Sequence, residues 1–227
     1  MNIDPLNDAK IVDSWRKNAS PWTAAVREGQ IESRRLSTDG AIVDAILDSS
    51  PHSVIDIGCG EGWLSRVLVE RGIKVLGIDV VPELISEAQR AGGGDYRVAS
   101  YEEVIAGNLE ASADVVVCNF SLLGKDCVEG LLRAVPTLLN SQGSCIVQTL
   151  HPMSSCGDSP YQDGWREGSW DGFSTDFSDP APWYFRTTES WKMLFKESGF
   201  RIREVREPTY PEKGEPVSTI FIAEVGG

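Results

Sequence analysis

No apolar run in the 227 residues approaches the roughly 18 that a membrane span requires, so the sequence is not expected to cross a bilayer. The stretch MNIDPLNDAK lacks a basic segment followed by an apolar one, the mark of a secretory leader, and the expected location is the cytoplasm. Histidine is scarce, with only His52 and His151. With so few imidazoles and no carboxylate cluster beside them, no metal site is expected. The five cysteines (Cys59, Cys118, Cys127, Cys145, Cys156) are odd in number and form no C-x-x-C pair. That excludes a disulfide framework and fits free thiols in a reducing compartment. Positive charge is also in deficit: 21 Lys and Arg stand against 34 Asp and Glu, a formal net charge of −13. Such a surface repels phosphate backbones, so nucleic acid is not an expected partner. The one basic cluster, Arg201, Arg203 and Arg206, alternates with apolar residues and reads as a solvated strand face. Internal repeats and low-complexity tracts are missing too.

What is present describes an ordinary globular chain, 41% hydrophobic and 24% charged, of a length that suits one α/β domain with an added lid. Residues 1–50 read as a helical cap: Ile11 to Ala19, a second piece starting at Pro21, and a third over Asp39 to Leu47. From Ser53 short apolar runs (54–57, 75–78, 96–99, 115–118, 146–150) alternate with stretches of helical spacing (63–71, 82–91, 128–139). That rhythm predicts βαβ units and a mostly parallel, doubly wound sheet over residues 53–150. Residues 151–185 break it with Gly, Pro, Ser, Asp and aromatics, and predict an ordered lid. Residues 186–227 restore it with a helix near 188–197 and strands near 201–206 and 219–225.

The strongest local signal is Val54-Ile55-Asp56-Ile57-Gly58-Cys59-Gly60-Glu61-Gly62, an apolar strand that ends in a glycine bend and opens a helix at Trp63. Glycines permit the tight turn and let a ligand approach the backbone. Asp79 ends the next strand at about the offset where an acidic residue grips ribose hydroxyls. The glycines space as G-x-G-x-G, not as the dinucleotide G-x-G-x-x-G, and Asp56 stands just before them. A carboxylate there disfavours a pyrophosphate and suits a cationic amino-acid end and a sulfonium. S-adenosylmethionine is therefore favoured over NAD.

These residues resemble a class I S-adenosylmethionine-dependent methyltransferase of the bacterial type 11 group related to quinone-biosynthesis methyltransferases. The resemblance implies a Rossmann-like seven-stranded sheet ordered 3-2-1-4-5-7-6 with an antiparallel last strand. It implies that Asp56, Gly58, Cys59 and Gly60 hold the methionine end, that Asp79 takes the ribose and that Val80 packs on adenine. Ser100 and Tyr101 match the adenine edge, and Asn119, Phe120 and Ser121 match the segment beneath the methionine moiety.

The expected reaction is methyl transfer to an O, N or C atom of a small molecule, by a monomer or homodimer without a membrane or nucleic-acid partner. His151 follows the fifth apolar run at the edge where open sheets bind ligands, and is the candidate general base. Trp22 and Trp183 are candidate substrate contacts, and Arg35 or Arg186 a bidentate partner for a carboxylate. Two other functions stay open at this point: an NAD-dependent oxidoreductase, and a protein that binds S-adenosylmethionine without catalysis.

Overall fold

The alternation of apolar runs and amphipathic stretches becomes, in the computed structural model, a seven-stranded sheet with helices on both faces. Residues 6–212 and 214–226 are described; Met1 to Pro5, half of the stretch that carries the leader reading, lie outside them. The N-terminal half runs α1 (Asp8–Arg27), α2 (Asp39–Leu47), β1 (Ser53–Ile57), α3 (Trp63–Val69), β2 (Lys74–Asp79), α4 (Pro82–Ala91), β3 (Asp95–Val98), α5 (Tyr101–Ile105) and β4 (Ala113–Asn119). After it come α6 (Asp126–Ala134), β5 (Leu139–Leu150), α7 (Pro152–Cys156), β6 (Gly164–Arg166), β7 (Trp183–Phe185), α8 (Thr188–Glu197), β8 (Phe200–Arg206) and β9 (Ser218–Val225).

The sheet order is β3-β2-β1-β4-β5-β9-β8, with β9 antiparallel to both neighbours. Setting aside the β6–β7 hairpin of the lid, this is the expected 3-2-1-4-5-7-6. The two-residue period of the strands divides the core into two faces. Ile55, Val116, Val147 and Phe221 point toward α5, α6 and α8, where they meet Val104, Leu131 and Phe195. Val54, Val117, Ile146 and Ile222 point the other way, onto Ile42 and Ile46 of α2 and Leu64 and Leu68 of α3. Each such buried side chain contributes about 1.5–3 kcal/mol.

Parallel register (Ile57 beside Ile78, Asp56 beside Val117) brings the ends of β1, β2 and β4 to one edge of the sheet. At that edge the chain turns into α3 and α4 after β1 and β2, on one face, and into α5 and α6 after β3 and β4, on the other, which leaves a crevice above the strand ends between β1 and β4.

The cap differs from expectation. In place of two helices broken before Pro21, α1 is continuous for 20 residues with Pro21 inside it. Its stripe of Ile11, Ser14, Asn18 and Ala25 stays buried through the proline, and Ala19 packs on Val81 and Leu84 at the start of α4. That burial outweighs the lost backbone hydrogen bond. Residues 34–38 form a single π-helical turn leading into α2.

Candidate active site

The bend after β1 is built from three glycines in left-handed conformation, with φ of +76° at Gly58, +57° at Gly60 and +84° at Gly62. Gly58 is also sterically obligatory, because a Cβ there would lie 2.3 Å from Cβ of Ser121. The N–H groups of Gly58 and Cys59 both donate to Ile78 O, at 2.8 and 3.0 Å, which locks the bend to β2. Opposite it, the Ser121 hydroxyl donates to Ile57 O at 2.7 Å and the Tyr101 hydroxyl to Ser121 O at 2.9 Å. Phe120, between β4 and this serine, holds φ +53°, a costly conformation for a side chain of that size.

Asp79 sits at the end of β2 and closes the bend from the side. Its Oδ2 accepts from Gly60 N at 3.0 Å and its Oδ1 from Val81 N at 2.9 Å. Burial pushes its carboxyl up to about 6, against the pull of those backbone donors. Each oxygen keeps a lone pair for a further donor.

The bend, Asp79, Val80, Ser100, Tyr101 and the segment Asn119 to Ser121 all line one cavity of about 770 Å³. Trp22 and Trp183 line it as well. Ser100 caps α5 in a reciprocal capping box with Glu103, which fixes the turn that carries Tyr101.

The roof is aromatic. Trp15 and Trp22 of α1 meet edge to face at 5.0 Å, and Trp15 meets Trp170 of the lid at 5.9 Å. Trp170 packs in turn on Phe173 and Phe177. Polar staples hold this lid to α1: the buried Asn18 amide donates to Ser178 O at 2.7 Å and accepts from Ser178 N at 2.9 Å, and Asp179 bridges Lys10 and Lys17.

Four sequence-predicted site residues are not on this wall. Asp56 is 1% exposed and turns its carboxylate to Ser65 of α3 at 3.1 Å. Strand alternation puts it on the α2–α3 face with Val54, beneath the bend instead of in the cavity. Burial pushes its carboxyl up to about 7, and the nearby Asp79 adds to the shift. His151 caps α7, with Nδ1 receiving the N–H of Ser154 at 3.3 Å and Nε2 lying 3.3 Å from Glu207. It does not line the cavity, although its neighbours Leu150 and Val217 do.

Arg186 is buried and donates to the carbonyls of Gly124 and Lys125 at 2.8 and 3.0 Å, stacking on Tyr184 and Trp191. Those carbonyls end the loop after β4, so this arginine is a strut. Arg35 is exposed; its neighbour Arg34 lines the cavity in its place. The Arg34 guanidinium lies 4.7 Å over Trp63 and its Nε donates to Asp39 at 3.0 Å, yet its buried Nη2 has no partner. The hydroxyl of Thr38, one turn on, is likewise buried, unpartnered and on the cavity wall. Adjacent residues in a helix differ by about 100°. Choosing between the two arginines would have required knowing the phase of the π-helical turn.

Residues 32–205 match the model of a family described as a methyltransferase domain. The chain is 35% identical over 114 residues to a ubiquinone biosynthesis O-methyltransferase of Xanthomonas oryzae pv. oryzae (strain PXO99A), which covers 48% of this chain and 47% of that protein. A protein of the same name from Xylella fastidiosa (strain M23) is 33% identical over 124 residues, 52% of this chain and 46% of its own length. The chain thus spans about half the length of these relatives.

Among solved structures, an S-adenosylmethionine-dependent methyltransferase from Mesorhizobium loti superposes with a TM-score of 0.60 at 23% identity, over 80% of this chain and 96% of that one. The DhpI-SAM-HEP complex superposes with a TM-score of 0.65 at 14% identity, over 98% and 99%. At such identities the likeness is one of fold.

Proposed function

The chain belongs to the methyltransferase domain family, and on that premise we propose that it takes S-adenosylmethionine as cofactor and passes the methyl group to an O, N or C atom of a small molecule. The observation that carries this reading is the meeting, on one cavity wall, of a glycine bend that admits no side chain at Gly58, a buried carboxyl at the end of β2, and two unpartnered polar groups on the turn before α2. Those orphans suit the cofactor's amino-acid carboxylate, for which Arg34 Nη2 and Thr38 Oγ1 are the free donors. Buried donors left unpaired are costly, so a ligand that satisfies them gains affinity.

When bound, S-adenosylmethionine supplies a methyl carbon made electrophilic by the adjoining sulfonium. The protein's part is holding and shielding. Asp79 accepts from the ribose hydroxyls, Val80 packs on adenine, and Ser100 and Tyr101 bound its edge. Gly58, Cys59 and Gly60 give the methionine end a bare wall, and Asn119, Phe120 and Ser121 lie beneath it. Asp56 contributes from behind the bend as a buried carboxyl that fixes Ser65, not as a contact. Trp22 and Trp183, with Trp15, Trp170 and Phe173, form the apolar side against which an acceptor is aligned and kept from water; such juxtaposition alone can contribute roughly 7–11 kcal/mol. Among the described residues no histidine lines the cavity, so the reading assigns no imidazole base.

In this reading residues 1–227 act as one domain, with cap, core, lid and C-terminal part as bounded in the sequence. It works in the cytoplasm as a monomer or homodimer, without nucleic acid. Among the described residues, no helix is long and apolar enough to cross a membrane. Calorimetric titration of the full chain with S-adenosylhomocysteine and with NADH tests the cofactor: saturable binding of the first alone is expected, and binding of NADH alone overturns the reading. Turnover of a panel of O, N and C acceptors separates an enzyme from a protein that only binds the cofactor.

A further inference from the structure

Gln148 lies near the C-terminal end of β5, 1% exposed and paired with Asn119 at the end of β4. Its Nε2 donates to Thr38 O at 3.2 Å and to Asn119 Oδ1 at 2.6 Å, while its Oε1 accepts from the hydroxyl of Ser218 on β9 at 3.1 Å. Every group in this chain except one can in principle be turned around. A hydroxyl both donates and accepts, and an amide exchanges roles when it flips. A backbone carbonyl only accepts. Thr38 O therefore fixes the direction of the whole chain: it demands Nε2 from Gln148, and the same nitrogen, facing Asn119, demands Oδ1 there.

The consequence falls in the cavity. With Oδ1 held by Gln148, the Asn119 amide presents its two N–H donors on the other side, and Asn119 lines the cavity wall. Thr38, whose carbonyl sets the direction, also bears one of the two unpartnered polar groups of that wall. We propose that Gln148 is a positioning residue that sets the polarity of Asn119, so that its amide N–H donates to the carboxylate of the cofactor's amino-acid end, on the same side as Arg34 and Thr38. The inference rests on the cofactor reading above and adds a residue that touches neither cofactor nor acceptor. A core leucine in place of Gln148 would satisfy packing equally well, but it would leave Thr38 O unpaired and Asn119 free to turn its oxygen inward, where it would repel a carboxylate.

The test uses two probes that differ only at the amino-acid end: S-adenosylhomocysteine, which has it, and 5′-methylthioadenosine, which does not. In Gln148→Glu the neutral acid donates its single proton to Thr38 O and accepts from Asn119, which reverses the asparagine. In Asn119→Asp the Gln148 bond is kept and only the donor is lost. Calorimetry on the full chain is expected to show both variants about tenfold or more weaker for S-adenosylhomocysteine, with 5′-methylthioadenosine bound as in the unaltered protein. Unchanged affinity for S-adenosylhomocysteine in Gln148→Glu overturns the proposal, and so does an equal loss for both probes. If the unaltered protein binds neither probe, it is the cofactor reading that fails.

Discussion

The two sides of the cavity are held by different physics. On the cofactor side, the wall consists of backbone: the bend from Gly58 to Gly62 is bonded to β2, buttressed by Ser121 and closed by Asp79. On the acceptor side the wall consists of side chains from α1 and the lid, packed edge to face and stapled by Asn18 and by the half-buried Asp179. Backbone hydrogen bonds and left-handed glycines leave little freedom, whereas aromatic contacts and surface ion pairs tolerate repacking. On the proposed reading, one side would hold a fixed ligand and the other would adapt to the acceptor.

The largest effect expected to expose this contrast is on binding. Asp79→Ala removes the acceptor for two hydroxyls, and titration should show affinity for S-adenosylhomocysteine lower by about 100-fold or more, with the fold retained and the thermal midpoint lowered only by the loss of the acceptor for Gly60 N and Val81 N. Native affinity in that variant would remove Asp79 from the site.

Next comes a stability effect. Gly58→Ala meets both a positive φ and Ser121 at 2.3 Å, and denaturant unfolding should report a loss of about 2–5 kcal/mol. A loss below about 1 kcal/mol would mean that the bend is softer than its bonding implies.

A third effect is one of pH. Asp56 and Asp79 are raised to about 7 and about 6 in the folded chain, so they keep protons that the unfolded chain has already lost. Unfolding free energy should therefore fall as pH rises from about 4 to about 7. Asp56→Asn retains a partner for Ser65 and should flatten that slope; thermal melts across this range decide, and an unaltered slope would show that Asp56 is ionised throughout.

The smallest binding effect belongs to the lid. Trp170→Ala loosens the contacts with Trp15, Phe173 and Phe177, so limited proteolysis near residues 168–178 should speed up. Affinity for S-adenosylhomocysteine should change by less than about threefold, well under one kcal/mol. A loss as large as that in Asp79→Ala would abolish the distinction between the two sides.

Legibility in the sequence followed the same division. Local periodicity places α2, α4 and α8 at their observed bounds, Asp39–Leu47, Pro82–Ala91 and Thr188–Glu197, and glycine spacing locates the bend. These features depend on neighbours in sequence. The surroundings of His151 and Arg186 are not legible in the sequence, because their partners, Glu207 and the carbonyls of Gly124 and Lys125, lie some sixty residues away. Asp56 is a different case: period-2 alternation turns it with Val54 onto the α2–α3 face, opposite Ile55 and Ile57, and that pattern is local to the strand. Arg34, Thr38 and Gln148 needed the π-helical turn and the sheet order in hand before their roles could be seen.

Hydrogen exchange of the full chain with and without S-adenosylhomocysteine probes the division most directly. The account predicts new protection at Cys59 to Gly62 and at Asp79 to Val81, with the lid near Phe173 still exchanging rapidly until an acceptor is added. Protection confined to the lid, with those two segments unchanged, would contradict it.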